Sequence, residues 1–383
     1  AAGDTMSFAF DVDNNKLYIA KNGIYFNSGV PSQGTGFTHS GINFPGGYTP
    51  IVSDSQTGQK YRLNCGQKPF KFLPPDGFQP LNFANTRPET VILHPDQFVA
   101  ATTYSGNSAA KSINVGHKPD FVWIKLRNQV SSSSWTHNLY DSVRGFGPNK
   151  SLRTATTDAQ GQIADDYGYV NSVTSNGFTV AKTGTGSYDW SLVNASGGNY
   201  VAWSWKAGGS KNTFNVDDVG YTSAAAAGLT GGGYAVTGAS VGTKQGFSIM
   251  QWEHDGTAGG YSMSHGLTQA PKFIITRNID ITSNWGSYHY NYDNGAGTNG
   301  INFNSTDSSS ASSGWWNNTG PTNTQFSLGT FFDDAGTFIA YLWHDVPGLQ
   351  KFGSFEGNGN ANGNFVELGF KPSLIMTKNI DNY

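Results

Sequence analysis

The stretch Gly116-His117-Lys118-Pro119-Asp120-Phe121-Val122-Trp123-Ile124-Lys125 decides how this chain is read, because relatives of it return twice. They are Gln269-Ala270-Pro271-Lys272-Phe273-Ile274-Ile275-Thr276-Arg277 and Phe370-Lys371-Pro372-Ser373-Leu374-Ile375-Met376-Thr377-Lys378. In each copy a proline fixes φ where a strand would start, a short apolar run with β-branched or aromatic residues follows, and a cation stands six positions after the proline. The pattern predicts one buried strand used three times, with Lys125, Arg277 and Lys378 as solvated strand ends.

Around the signature, the order of motifs also recurs. Phe98-Val99-Ala100-Ala101-Thr102-Thr103-Tyr104 opens a first repeat, Gly177-Phe178-Thr179-Val180 follows, and Asn199-Tyr200-Val201-Ala202-Trp203-Ser204-Trp205-Lys206 closes it. Phe247-Ser248-Ile249-Met250-Gln251-Trp252, Gln325-Phe326-Ser327-Leu328 and Thr337-Phe338-Ile339-Ala340-Tyr341-Leu342-Trp343-His344 take the same places in a second, and Phe352-Gly353-Ser354-Phe355 starts a third. Signature prolines stand 152 positions apart, then 101, and a Gly- and Ala-rich insert from Ser210 to Gln245 fills most of the longer interval. Periods this long exceed the roughly 20–50 residues of solenoid and propeller units, so each repeat is expected to be a domain with its own core, strung like beads. The expected organisation is 1–82 as an amino-terminal segment, 83–97 as linker, 98–209 as first repeat, 210–245 as insert or linker with an embedded hairpin, 246–348 as second repeat, and 349–383 as a truncated third.

Composition supports an all-β chain of tandem antiparallel β-sandwich domains. Fifty glycines, 14% aromatics and only 13% charged residues describe many short strands joined by tight turns. A net charge of −3 leaves no basic face for a phosphate backbone, so nucleic acid is excluded as a partner. The single cysteine, Cys65, rules out an internal disulfide and reads as a small buried hydrophobe. No His or Cys spacing suits a metal, and neither metal nor cofactor is expected. No apolar run reaches about 18 residues, so no membrane insertion is expected. Because residue 1 is not Met and the third repeat stops soon after its signature, the sequence reads as a section of a longer polypeptide.

No catalytic residue emerges. Gly-x-Ser-x-Gly, Gly-Lys-Ser/Thr and His-Glu-x-x-His motifs are missing from the sequence, and the acidic pairs Asp165-Asp166, Asp217-Asp218 and Asp333-Asp334 suit turns better than a glycosidase couple. Alternation puts Val201, Trp203 and Trp205 on one face of the closing strand, with Ile339, Tyr341 and Trp343 as counterparts, and packing explains them. Trp135, Trp285, Tyr288, Tyr290, Trp315 and Trp316 sit instead among Ser, Asn and Gly. They are the expected exposed aromatics of ligand-binding loops, suited to stacking on sugar rings.

In the first segment, Ser7 to Asp13 and Lys16 to Gly23 alternate around Asn14-Asn15 as a hairpin, followed by Tyr48-Thr49-Pro50, Asn64-Cys65-Gly66-Gln67-Lys68-Pro69-Phe70 and Pro74-Pro75-Asp76-Gly77-Phe78. Asp11, Asp13 and Asn15 begin like a calcium loop, but Lys16 stands where that loop needs Gly. The order of motifs over residues 4–82 resembles the carboxy-terminal half of a SPRY domain, a concanavalin-like β-sandwich binding module. The repeats, including Thr213-Phe214-Asn215-Val216-Asp217-Asp218-Val219-Gly220-Tyr221, resemble an uncharacterised repeat domain of marine bacteriophage structural proteins. That resemblance implies a virion structural protein, part of a tail fibre or other appendage, partnered by other virion proteins and by a host-surface glycan or protein. It also implies a homo-oligomer, with a trimer as the form usual for fibres. A capsid decoration or purely structural fibre, and a polysaccharide depolymerase, are the alternatives.

Overall fold

The alternation around Asn14-Asn15 folds as expected: β1 (Met6–Asp11) and β2 (Lys16–Lys21) pair antiparallel with Asp11 opposite Lys16. Asn15 takes φ 54°, a left-handed position that asparagine tolerates, and Asn14 donates to the Asp11 carboxylate from its main chain and its side chain. The structure, a computed structural model, describes residues 3–42, 60–81, 91–128, 137–162, 168–181, 193–361, 363 and 365–381. The chain divides into two units, Ala1–Pro88 and Glu89–Tyr383.

In the first unit, β3 (Ile24–Tyr25) and β4 (His39–Ser40) join β2 to complete one small sheet. A sandwich was the expectation. Among the described residues no second sheet faces this one, and Phe8 and Ile24 remain 66% and 76% exposed. The Tyr48-Thr49-Pro50 motif lies outside the described residues. Cys65 is half-buried, with its N–H on Gln67, rather than a core residue.

In the second unit the first repeat supplies β5 (Val99–Ser105), β6 (Lys111–Asn114), β7 (Phe121–Leu126), β8 (His137–Asp141), β9 (Leu152–Arg153), β10 (Tyr169–Thr174), β11 (Gly177–Ala181) and β12 (Asn199–Trp205). They form a five-stranded sheet in the order β5-β12-β7-β8-β9 and a three-stranded sheet, β10-β11-β6. The insert supplies β13 (Phe214–Val216), β14 (Val219–Tyr221) and β15 (Val236–Gly242). The second repeat supplies β16 (Phe247–His254), β17 (Tyr261–Ser264), β18 (Phe273–Asn278), β19 (Gly286–His289), β20 (Asn299–Asn302), β21 (Ser310–Ala311), the helical turn α1 (Ser313–Trp316), β22 (Gln325–Leu328) and β23 (Gly336–Trp343).

The insert is no plain linker. β13 and β14 make a tight hairpin through Asp217 and Asp218, both at positive φ, and β15 adds antiparallel to β16. The result is a nine-stranded sheet, β14-β13-β15-β16-β23-β18-β19-β20-β21, with β17-β22 as a separate pair. The closing strand lies between the opening and signature strands in both repeats: β12 between β5 and β7, β23 between β16 and β18. Val99 and Phe247 each oppose the final tryptophan, Trp205 and Trp343, so Val99 is the counterpart of Phe247 and the motifs align one residue later than Phe98 suggests.

Strand alternation now explains the layers. Val122, Ile124, Leu126, Tyr200 and Ala202 face the three-stranded sheet with Phe178 and Val180. Met250, Trp252, Ile274, Phe338, Ala340 and Leu342 face the β17-β22 pair with Phe326 and Leu328. The alternate residues of both large sheets face each other: Phe121, Trp123, Leu139 and Trp205 pack with Phe247, Ile249, Ile275, Ile339, Tyr341 and Trp343 in one shared core. The repeats are therefore not separate beads; their sheets form a stack whose middle layers are the two large sheets. The centre of that core is Phe121, fully buried, with its ring 4.6 Å from Tyr341, 5.7 Å from Phe247 and 5.4 Å from Trp205.

One polar seam crosses this core. The Tyr341 hydroxyl donates to Asp141 Oδ2 at 2.6 Å, and Arg144 Nε donates to the same oxygen at 2.5 Å. Arg144 Nη1 also donates to the Lys150 carbonyl and Gln160 Oε1. Such a fully buried pair adds little net stability, because desolvation offsets much of the attraction.

The third signature does not form a strand. Ile375 is 70% exposed, the Phe352 ring stacks on Phe273 at 5.8 Å, and Lys378 Nζ donates to the carbonyls of Ser305 and Asp307. β7 and β18 are each held between two hydrogen-bonded neighbours, and among the described residues the third copy has none.

Phe121→Ala is expected to lower stability by about 3–5 kcal/mol, as for other large buried aromatics. Denaturant unfolding followed by tryptophan fluorescence measures it; a loss under about 1 kcal/mol would contradict the central position given to this ring.

Candidate functional site

Registers across β5, β12, β7 and β8 set side chains of one sheet face in rows. Trp205 lies between Val99 and Phe121, Trp203 between Ala101 and Trp123, and Val201 between Thr103 and Lys125, which itself opposes His137; Asn199 opposes Ser105. The first rows enter the core shared with the second repeat. Farther along, Thr103, Ser105, Asn199 and Arg127 are exposed, and Val201 and Lys125 half-buried. The same face thus runs from apolar and covered to polar and open.

At its open end lies a shallow cleft of about 320 Å³ lined by Thr103, Tyr104, Ser105, Arg127, Asn128 and Asn199. Its wall is fixed by main-chain and amide bonds. Asn199 N–H donates to Asn128 Oδ1 at 2.6 Å, Asn128 Nδ2 to the Gly197 carbonyl at 3.0 Å, Arg127 N–H to the Asn199 carbonyl at 2.7 Å, and Ser105 Oγ to Asn199 Oδ1 at 3.0 Å. Hydroxyls, amides and the Arg127 guanidinium share one surface, and no carboxylate is among the lining residues.

Beside the cleft the half-buried Trp203 ring lies parallel to His137, 6.3 Å away. Trp123 Nε1 donates to His137 Nδ1 at 2.8 Å, which leaves the imidazole proton on Nε2. Burial, with Lys125 adding to it, lowers the His137 pKa to about 4, and burial also lowers that of Lys125. The arrangement offers donors and acceptors beside an aromatic edge, which suits a hydroxyl-rich ligand.

The aromatics expected in exposed loops are mostly elsewhere. Trp135 lies outside the described residues. Trp285 is fully buried between the repeats and donates Nε1–H to the Arg153 carbonyl at 2.6 Å. Tyr288, Trp315 and Trp316 are 1%, 7% and 1% exposed and pack into the core of the second repeat. Tyr290 alone among those described keeps a free surface, 36% exposed, with Lys272 Nζ 3.3 Å from its ring centroid. The neighbouring glycines mislead, since they serve ring packing instead of exposure. A Cβ on Gly300 would lie 2.4 Å from the Trp315 ring, and one on Gly286 would lie 2.5 Å from Phe332.

Arg277 also departs from expectation. It is fully buried, donates Nη2 to the Thr157 carbonyl of the first repeat at 2.9 Å, and lies 5.2 Å from the Trp285 ring. Burial lowers its pKa to about 10. The acidic residues hold turns and loops: Asp217 accepts from Thr243, Asp218 pairs with Lys206 at 2.5 Å, and Asp333 accepts from Gly259 N–H. Asp165 and Asp166 lie outside the described residues. Among the described residues no cluster of three or more His, Cys, Asp or Glu is placed to hold a metal.

Thr103, Ser105, Asn128 and Asn199 were not singled out by sequence reasoning, although the signal was there. Carrying the alternation of Phe121, Trp123 and Lys125 two residues farther reaches Arg127 on the same face.

Two β-sandwiches joined face to face, one ending in an open polar surface, define the class of protein. Residues 94–383 match the family model described as Domain of unknown function (DUF7483), and the chain belongs to that family. No curated protein and no solved structure matches it.

Acid sensitivity follows from the buried histidines. His265 is fully buried, accepts from Leu267 N–H at Nδ1 and lies 3.0 Å from the Thr322 carbonyl at Nε2; burial lowers its pKa to about 4. Its folded pKa is below the unfolded value of about 6.5, so the unfolded chain binds the extra proton and stability falls as pH drops between these values. The loss from His265 is on the order of 3 kcal/mol once pH 4 is reached. Melting between pH 7 and 4.5 should show the decline, and His265→Gln should flatten it; an equal slope in the variant would rule His265 out as a cause.

Proposed function

We propose that this chain is a structural part of a bacteriophage particle, in a tail fibre or other appendage, and that the open end of the five-stranded sheet holds a host-surface glycan. The observation that carries the reading is the surface formed by Thr103, Ser105, Arg127, Asn128 and Asn199 next to the Trp203 edge. Hydroxyls and amides in fixed positions can match sugar hydroxyls, and the uncovered part of the half-buried Trp203 indole supplies an apolar edge for a ring. The resemblance of residues 4–82 to a SPRY segment, and of the repeats to phage structural repeats, supports the virion context. A stacked pair of sandwiches provides a stiff mounting for such a surface.

Arg127 is exposed and lines the cleft. Arg127→Ala should therefore weaken saturable, sugar-competed binding to permissive host cells by about tenfold or more, as loss of one charged hydrogen bond does, with melting unchanged. Binding equal to wild type would remove this surface from the account, and failure of the wild-type chain to bind any permissive host would remove the glycan reading. Release of oligosaccharides from host polysaccharide would favour a depolymerase instead.

A further inference from the structure

The outer edge of β5 has a different use. Lys206 N–H donates to the Phe98 carbonyl and Gly106 N–H to the Gly198 carbonyl, so in the unbroken β5-β12 register the even-numbered residues bond β12. The N–H and C=O groups of Val99, Ala101 and Thr103 point away from the sheet, and among the described residues no strand pairs with them. Ser105, next along, has its carbonyl taken by Lys111 Nζ at 2.7 Å.

Open edges are usually blunted by charge, proline, a bulge or shortness. β5 has seven residues, Val-Ala-Ala-Thr-Thr-Tyr-Ser, with no charge, no proline and no register shift. The remaining edges of the two large sheets are short: β9 and β21 have two residues each and β14 has three. The second repeat shows what this edge accepts. Its equivalent, β16, is covered by antiparallel β15, Val-Thr-Gly-Ala-Ser-Val-Gly, also small, β-branched and uncharged. β5 therefore resembles both the acceptor and the strand that covers it, and an antiparallel pair of identical strands is self-complementary.

We propose that a second copy of this chain pairs with β5 across a two-fold axis at Ala101, joining the two five-stranded sheets into one. Ala101 then faces its own copy and Val99 faces Thr103, with about six new main-chain hydrogen bonds. Small side chains at Val99, Ala101 and Thr103 let the edges approach. The pairing does not depend on glycan binding.

Sedimentation equilibrium of the full chain at tens of micromolar should give twice the 41.0 kDa chain mass. Ala101→Pro removes an outward N–H without touching the β12 ladder and should yield monomer with an unchanged circular dichroism spectrum and melting temperature. If proline disturbs the fold, Ala101→Lys, which sets like charges against each other at the axis, gives the same readout. Ala101→Cys in a Cys65→Ser background should form a disulfide-linked dimer on mild oxidation. A monomer or trimer for wild type, a dimer that survives either substitution, or no cross-link through position 101 would overturn the proposal.

Discussion

Phe121 meeting Phe247, Tyr341 and Trp343 is the contact from which the rest of the second unit follows. A sheet whose strands are apolar on both sides cannot leave one side in water. The signature strand and the closing strand are built that way in both repeats, so each large sheet needs two covers. One comes from the small sheet of its own repeat, the other from the large sheet of its neighbour. The length of the repeats suggested independent cores, but the two-sided hydrophobicity of Trp203 and Trp205 against Tyr200 and Ala202 already argued otherwise. A strand with a solvated face would have shown polar residues at one of those sets.

Many of the strands were legible, though not their order within the sheets. Proline, apolar run and cation located β7 and β18, and alternation gave both faces of β12 and β23. Three things were hidden for physical reasons. Register was misaligned by one residue because Phe98 resembles Phe247 in type, while pairing is fixed by Trp205 and Trp343. The cation at the end of β18 has the same sequence sign as Lys125, yet Arg277 is enclosed by Trp285, across the following loop, and by the Thr157 carbonyl of the first repeat, 120 residues away. The buried rings of Trp285, Trp315 and Trp316 were hidden because Gly, Ser and Asn next to an aromatic signal a turn equally well whether the ring points out or in.

The site was less legible than the fold. Its members lie on β5, on β12 and just past the end of β7, come together only through register, and none is unusual by itself. What creates it is partial coverage: the second repeat buries the Trp205 row, leaves Trp203 half-buried and stops short of Thr103, Val201 and Lys125. The same packing that stabilises the stack thereby decides which part of the sheet stays open, while Asp141, Arg144 and Tyr341 join the two large sheets through a buried polar contact.

The shared core is tested most directly by native-state hydrogen exchange on the full chain carrying Phe121→Ala. If one core joins the repeats, the main-chain amides of β18 in the second repeat lose protection together with those of β7, although the substitution lies in the first. Wild-type protection of β18 in that variant would contradict the account and return the repeats to separate folding units.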